Sequence, residues 1–220
     1  MILTRKNLGL MAAAAALAVA GPLVAQQAPG KPGARDAARV TAGTYTVDHE
    51  HTLVSWKLDH LGITPYLGLF GQITGSLTID PKNPNAAKVD VTIPVAKVTT
   101  ASAGLTAHLL KAPAAAGGKP DFFGPSPADA RFVSTAVVAD AAAGTAKITG
   151  NLTLNGMTKP VTLDANFYGA GKSPPQMGGA DNLGFEAKAT IKRSEFGLGM
   201  AVPMVSDEVA LEIVAAFTKK

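Results

Sequence analysis

The chain has 220 residues, of which 20 are basic and 16 acidic, giving a formal net charge of +4, and it contains no cysteine. The lack of cysteine excludes disulfides and anchoring through a lipid-modified N-terminal cysteine. The small positive excess is scattered along the chain, which excludes the dense basic face that nucleic-acid binding requires.

The first 25 residues have the three-part layout of a secretory signal peptide. Arg5 and Lys6 form its basic start, residues 8–19 form an apolar stretch, and small-residue cleavage sites end at Ala20 or Ala25. A membrane anchor is the alternative, because the apolar run approaches the length that spans a bilayer. We expect cleavage and export, since no basic stop-transfer patch follows. The signal leaves the export route, Sec or twin-arginine, undecided.

Residues 26–40 are rich in Ala, Gly, Pro and charged residues and have no apolar period, which predicts a flexible leader. The folded domain is expected over residues 41–220, roughly 180 residues, which is the size of one domain with a substantial core. Without Arg5 and Lys6 the chain keeps 18 basic and 16 acidic residues, a net charge of +2.

From Thr44 onward, apolar side chains mostly recur at every second position, which is the period of a strand with one buried face. The clearest runs are Val54-Trp56-Leu58, Leu77-Ile79, Val89-Val91-Ile93-Val95, Ile148-Leu152-Leu154, Val161-Leu163-Ala165-Phe167, Phe185-Ala187-Ala189-Ile191 and Val209-Leu211-Ile213-Ala215-Phe217. Seven or eight such strands in sequence predict an up-and-down antiparallel sheet. A sheet of this size must pack on a second sheet or close into a barrel, and closure also removes exposed edges.

Turn signals separate these runs at residues 80–85, at Asn155-Gly156 and at Gly169-Ala170-Gly171. Asn155-Gly156 predicts a hairpin, in which residues 157–160 are expected to lengthen the connection beyond two residues.

One segment has a helical period instead. Residues 101–111 place Leu105, Leu109 and Leu110 on one side of a short helix, which we expect to plug one end of a barrel. The Ala/Gly/Pro-rich residues 112–120 predict a surface loop.

Several motifs distinguish between a sandwich and a barrel. They are Tyr45-x-x-Asp48, His51-Thr52, His60-Leu61-Gly62, Gly68-x-Phe70, Thr100, His108-Leu109, Asp121-Phe122-Phe123, Phe132, the run from Gly150 to Val161, Arg193-Ser194-Glu195-Phe196-Gly197 and Ser206-Asp207-Glu208-Val209. In their order and spacing the chain resembles the YceI-like family of lipocalin-like polyisoprenoid-binding proteins, over about residues 45–216. It departs from that pattern between Leu109 and Asp121, which are separated by eleven residues where the family is tighter.

The resemblance implies an all-β fold, namely an eight-stranded antiparallel lipocalin-like barrel with one short helix near a barrel end, in the periplasm. It also implies a long apolar pocket that holds an isoprenoid lipid such as a quinone or polyprenyl lipid, no catalytic cofactor, and a binding protein rather than an enzyme. Small side chains at inward positions agree with this, because they leave space in a barrel of this size: Gly150, Ala165, Ala187, Ala189 and Ala215. A barrel filled by its own side chains is an alternative.

Eight residues are predicted to bind the ligand. The apolar ones, expected in the pocket wall, are Trp56, Leu58, Phe70, Phe185 and Leu211. The polar ones are His51, His60 and Arg193, for which the resemblance suggests contact with the ligand's head group at the pocket mouth. Structural roles are the alternatives: a hydrogen-bonded histidine, and for Arg193 an ion pair on the outer face or at a strand end.

A rival hypothesis from another class is a metal-assisted hydrolase or isomerase that uses His49, Glu50, His51 and His60. His49 and His51 would project from one strand face, but no third ligand stands at a diagnostic spacing and there is no His-Glu-x-x-His motif. No metal is therefore expected. The sequence leaves open a transient contact with a membrane and assembly as a homodimer.

Overall fold

The computed structural model describes residues 30–219, so the predicted signal peptide lies outside it. Its strands are β1 (Gly33–Ala34), β2 (Gly43–Val47), β3 (Leu53–His60), β4 (Thr64–Phe70), β5 (Thr74–Ile79), β6 (Lys88–Ile93), β7 (Ala130–Asp140), β8 (Thr145–Leu154), β9 (Met157–Lys172), β10 (Asp181–Lys192) and β11 (Glu208–Lys219). The helix α1 spans Ala103–Leu109. In this part of the chain, no helix is both long and apolar enough to cross a membrane.

The strands close into an antiparallel barrel. From β5 to β11 each strand pairs with the next one in the chain, and β2 completes the ring by pairing with both β5 and β11. Strands β2 and β3 pair with successive parts of β11. On their other side, β2 pairs with β5 and β3 pairs with β4. β2 with β3, and β4 with β5, therefore act as two interrupted barrel strands. The predicted eight-stranded antiparallel barrel is confirmed.

The hairpin between β8 and β9 is tighter than predicted. Asn155 and Gly156 both have positive φ, 51° and 75°, and Leu154 pairs directly with Met157, so the turn has two residues. The expectation of a longer connection was wrong, because Pro160 is accommodated inside β9. Since β10 pairs with β9 only from Asp164 onward, Pro160 has a free side on which its missing N–H costs no ladder hydrogen bond.

The second correction concerns Gly169-Ala170-Gly171, which lie inside β9 rather than in a turn. Strand β1 pairs with β9 at this point, Gly33 opposite Gly171 and Ala34 opposite Ala170. A Cβ atom on Gly171 would lie 2.3 Å from the carbonyl oxygen of Pro32. The glycines therefore permit a close backbone approach. They also allow Gly33 and Ala34, which belong to the segment predicted as a flexible leader, to pair with β9.

The two ends of the barrel differ. The end formed by residues 31–42, 80–87, 141–144 and 173–180 is called the open end below, and the end formed by residues 61–63, 94–129 and 193–207 the helix end. At the helix end Leu109 of α1 packs with Trp56, Val98 and Val209. Helix α1 therefore covers this end of the barrel, as expected from its apolar side.

The long insertion after α1 begins and ends at the same place. His108 Nε2 lies 3.0 Å from Asp121 Oδ2, and the Phe123 amide donates to the Leu109 carbonyl oxygen. These contacts close residues 110–120 into a surface loop whose two ends meet beside the helix, so the extra length does not alter the barrel.

Candidate functional site

A cavity of about 310 Å³ occupies the interior of the barrel. Its lining includes Val47, Val54, Phe70, Ile73, Leu77, Ile79, Val89, Val91, Ile93, Phe132, Val137, Ile148, Leu152, Val161, Leu163, Phe167, Phe185, Ile191, Leu211, Ile213 and Phe217. Within residues 30–219, the polar side chains that reach it belong to Thr52, Asp140 and Thr145. The Thr52 hydroxyl is already used, because it donates to the Ala216 carbonyl at 3.1 Å and accepts from the Ala216 amide at 3.0 Å.

Strict alternation along β11 explains why the cavity wall is apolar. Leu211, Ile213 and Phe217 line the cavity, whereas Glu212 faces outward and lies 3.4 Å from Lys188 Nζ. The same alternation turns the apolar residues of β9 and β10 inward, and the small side chains of Ala165, Ala187 and Ala215 keep the interior open. Of the other small residues expected to leave space, Ala189 is not in the lining, and the place beside Gly150 is filled by the Phe132 ring.

The cavity opens between the loops of the open end. Its rim is formed by Pro81 and Pro84 before β6, and by Asp140 and Gly144 around the β7–β8 turn. The Asp140 carboxylate accepts hydrogen bonds from the amides of residues 142 and 143, at 3.1 and 3.0 Å, so it shapes the turn. The opening is therefore framed by backbone and small side chains.

Of the five predicted apolar contacts, Phe70, Phe185 and Leu211 line the cavity. Trp56 and Leu58 face the same interior but belong to the cluster under α1. The Trp56 ring lies against Gly68, where an added Cβ would be 2.3 Å from it. Trp56 is 8% exposed, and its Nε1 has no hydrogen-bond partner among residues 30–219.

Arg193 lies just beyond β10, away from the cavity. It is 5% exposed, and its guanidinium donates to four backbone carbonyl oxygens, those of residues 198, 200, 205 and 206. Burial lowers the pKa of Arg193, although a guanidinium stays protonated at any physiological pH. In addition, Asp207 accepts hydrogen bonds from the Ser194 hydroxyl and amide, which lower the pKa of Asp207. Arg193 is thus the centre of the 193–207 loop at the helix end.

The two predicted histidines also lie outside the cavity lining. His51 is exposed, and its Nδ1 is 2.7 Å from Asp48 Oδ2. Partial burial alone would raise the pKa of Asp48, but hydrogen bonds from His51 and the Glu50 amide lower it below its usual value. His60 is exposed at the end of β3 and forms a backbone bridge with Val205. His60 therefore lies at the helix end, whereas the cavity opens at the other.

The histidines do not assemble a metal site in the described ranges. Residues 30–219 contain no group of three or more His, Asp or Glu side chains placed to hold an ion. His51 is paired with Asp48, and His60 lies at the far end of β3. The hydrolase hypothesis is therefore not favoured by the geometry.

Sequence reasoning missed the residues that form the rim of the cavity, notably Ala37 and Val40 from the segment predicted as a leader. The only local signal there is Asp36, whose side chain accepts from the Ala38 amide and begins a single 3₁₀ turn.

Comparison with known proteins gives a consistent picture. The YceI-like domain family matches residues 45–217. A UPF0312 protein of Pseudomonas paraeruginosa is 40% identical over 179 residues, which cover 80% of this chain and 86% of that protein. The crystal structure of the Campylobacter jejuni YCEI protein is 29% identical, with a TM-score of 0.60 and coverage of 74% of this chain and 90% of that one. A polyisoprenoid binding domain from Saccharophagus degradans, at 12% identity, shares the fold with a TM-score of 0.54, covering 82% of this chain and 100% of that one.

Proposed function

The chain belongs to the family of YceI-like domains, and from that premise we propose that it binds a long isoprenoid lipid inside its barrel and acts as a carrier, store or scavenger. The observation that carries the proposal is the apolar cavity of about 310 Å³ inside the barrel. The fold neighbour from Saccharophagus degradans is a polyisoprenoid binding domain, which supports the same ligand class.

The chemistry of the cavity favours a hydrocarbon tail over a polar ligand. Each methylene that leaves water for an apolar site contributes about 0.8 kcal/mol, so a tail of several isoprene units can be held by buried area alone. A polar ligand would need donors or acceptors inside, and Thr52, the polar side chain deepest in the wall, is already satisfied by Ala216. We propose that Phe70, Phe185 and Leu211 contact the tail.

The open end is where the head group of such a lipid would lie. Its rim offers backbone groups, the Thr145 hydroxyl, which can donate to a quinone carbonyl, and the Asp140 carboxylate, which can accept from a polyprenyl alcohol. The tail would then run toward the Trp56 cluster at the helix end. Binding by shape and apolar area in this way supports a role as a binding protein.

We further propose that the protein is exported and works in the periplasm, on the basis of the signal layout of the first 25 residues. Intact mass measurement on protein from the native host tests this. A chain that begins near Gly21 or Gln26 is expected, and a chain that keeps Arg5 and Lys6 would contradict the proposal.

Mass spectrometry of an organic extract is the direct test of the ligand. Protein purified under mild conditions from its native host should release about one long-tailed isoprenoid lipid per chain. An extract without lipid, from protein that also fails to bind a prenyl lipid added in vitro, would contradict the proposal and favour a barrel that works only through its surface.

A further inference from the structure

An N-terminal segment crosses the open end of the cavity. Residues 31–42, here called the strap, run from β1 past the rim to the start of β2. Two of its side chains, Ala37 and Val40, are part of the cavity lining. The strap therefore forms part of the boundary between the cavity and solvent.

The strap is attached firmly at its C-terminal end. The Thr41 hydroxyl donates to Asp181 Oδ2 at 2.9 Å, the hydroxyl of the fully buried Tyr45 donates to the Thr41 carbonyl at 2.8 Å, and Lys219 Nζ donates to the Ala42 carbonyl at 2.7 Å. These bonds fix residues 41–42 to β2, β10 and β11. This end of the strap can serve as a hinge.

The N-terminal part of the strap is held much more weakly. Strand β1 has only two residues and pairs through Gly33 and Ala34, which bury little apolar surface. Arg35 adds one exposed hydrogen bond to the Ala143 carbonyl, at 3.3 Å. None of residues 31–41 is buried. Segments with few buried contacts and exposed backbone hydrogen bonds open first in native proteins.

We propose that the strap is a gate, in which residues 31–40 detach from β9 and swing about Thr41 to let the ligand into and out of the cavity. This inference rests on the proposed function, since it concerns how the lipid passes the open end. The strap is the natural moving part because the rest of the rim belongs to loops that join long paired strands, whereas β1 can leave β9 without breaking the barrel ring. In the closed state Ala37 and Val40 cover the tail and slow its release.

One glycine substitution should weaken the attachment of the strap to β9 without changing the cavity lining, and a second glycine substitution serves as its control. Gly171→Ala places a Cβ where the Pro32 carbonyl oxygen would be 2.3 Å away, so the strap must shift. Gly184→Ala, on the neighbouring strand β10, is the matched control, because its Cβ would meet Tyr168 at an ordinary 3.6 Å. Gly171 does not line the cavity.

The opposite test locks the gate. Ala34 and Ala170 are ladder partners, and the Cα atoms of antiparallel partners lie about 4.5–5.5 Å apart, within the range that a disulfide can bridge. The double change Ala34→Cys with Ala170→Cys can form only the intended intramolecular disulfide, because the chain has no cysteine of its own. The same protein after reduction, and each single variant, are the controls.

The measurement is stopped-flow fluorescence with N-phenyl-1-naphthylamine as an apolar probe, on protein freed of bound lipid and checked by circular dichroism. Gly171→Ala should raise the rates of probe uptake and release at least about fivefold, and Gly184→Ala should leave them unchanged. The oxidised double-cysteine variant should exchange at least about tenfold more slowly than its reduced form.

The outcomes separate the gate from the function. Equal rates for the oxidised and reduced forms, with the usual amount of probe bound, would overturn the gate and leave the cavity as the binding site. No probe bound by the wild type or any variant would overturn the proposed function and the gate with it.

Discussion

Replacing Leu211 with glutamate would place a carboxylate in the middle of the apolar wall. Leu211 lines the cavity, lies opposite Trp56 on β3 and Ala189 on β10, and faces inward with Ile213. Beside a bound hydrocarbon tail this carboxylate would have neither water nor a partner, and a buried unpaired charge costs several kcal/mol unless it is neutralised.

The empty barrel should tolerate the same change. A water molecule occupies about 30 Å³ of liquid, so a cavity of about 310 Å³ holds roughly ten waters, which is enough to hydrate one carboxylate. Losing contact with three or four methylene groups of the tail removes about 3 kcal/mol, or more than about a hundredfold in affinity. The folded state should lose far less than the 2–5 kcal/mol that is typical of disrupting a close-packed core.

Binding of a prenyl lipid and thermal unfolding should be measured for Leu211→Glu and for Glu212→Leu, its neighbour. Glu212 faces outward beside Lys188, so its replacement should change binding by less than about twofold. Severe destabilisation of Leu211→Glu would mean that the interior is packed solid. Loss of binding only in Glu212→Leu would refute the inward register of β11.

Three further results are expected. Arg193→Gln should destabilise the protein by about 3 kcal/mol or more in urea unfolding, because buried carbonyl oxygens lose their charged donor, and unchanged stability would mean that water replaces it. Trp56→Phe should change stability by less than about 1 kcal/mol, since removing an unpaired buried N–H offsets the lost ring contact, whereas Trp56→Ala should cost about 3–5 kcal/mol. The pKa of Asp207 is lowered in the folded state, so its ionised carboxylate stabilises the protein above about pH 4 and this contribution is lost in acid. The melting temperatures of Asp207→Asn and of the wild type should therefore converge below about pH 4. A difference that stays constant with pH would contradict this.

The sequence predicts the barrel well because its signal is local. Alternation in β11 identifies Leu211 and Phe217 as inward residues, and both line the cavity, since a strand with period 2 has only two faces. The turn at Asn155-Gly156 is equally local. The predicted length of this turn was wrong because Pro160 fits inside a strand only where β9 has a free side, and that depends on where β10 begins to pair with β9.

The candidate site was predicted less well because it depends on which end of the barrel opens. Motif spacing brings His60 and Arg193 to one end, but it does not show that α1 covers that end while the cavity opens at the other. The glycine pair at 169 and 171 is ambiguous for a similar reason. Glycine marks both turns and close backbone approaches, and only the position of Gly33 on the partner strand distinguishes them.

The arginine at the helix end has a consequence for how freely the chain can be redesigned. Its guanidinium binds main-chain oxygens at residues 198, 200, 205 and 206, and every amino acid supplies such an oxygen. The bonds from Arg193 therefore do not depend on the identities of the exposed Met200, Val202 and Met204. We therefore expect that the side chains at these three positions can be replaced while the four hydrogen bonds from the guanidinium to the main chain are kept.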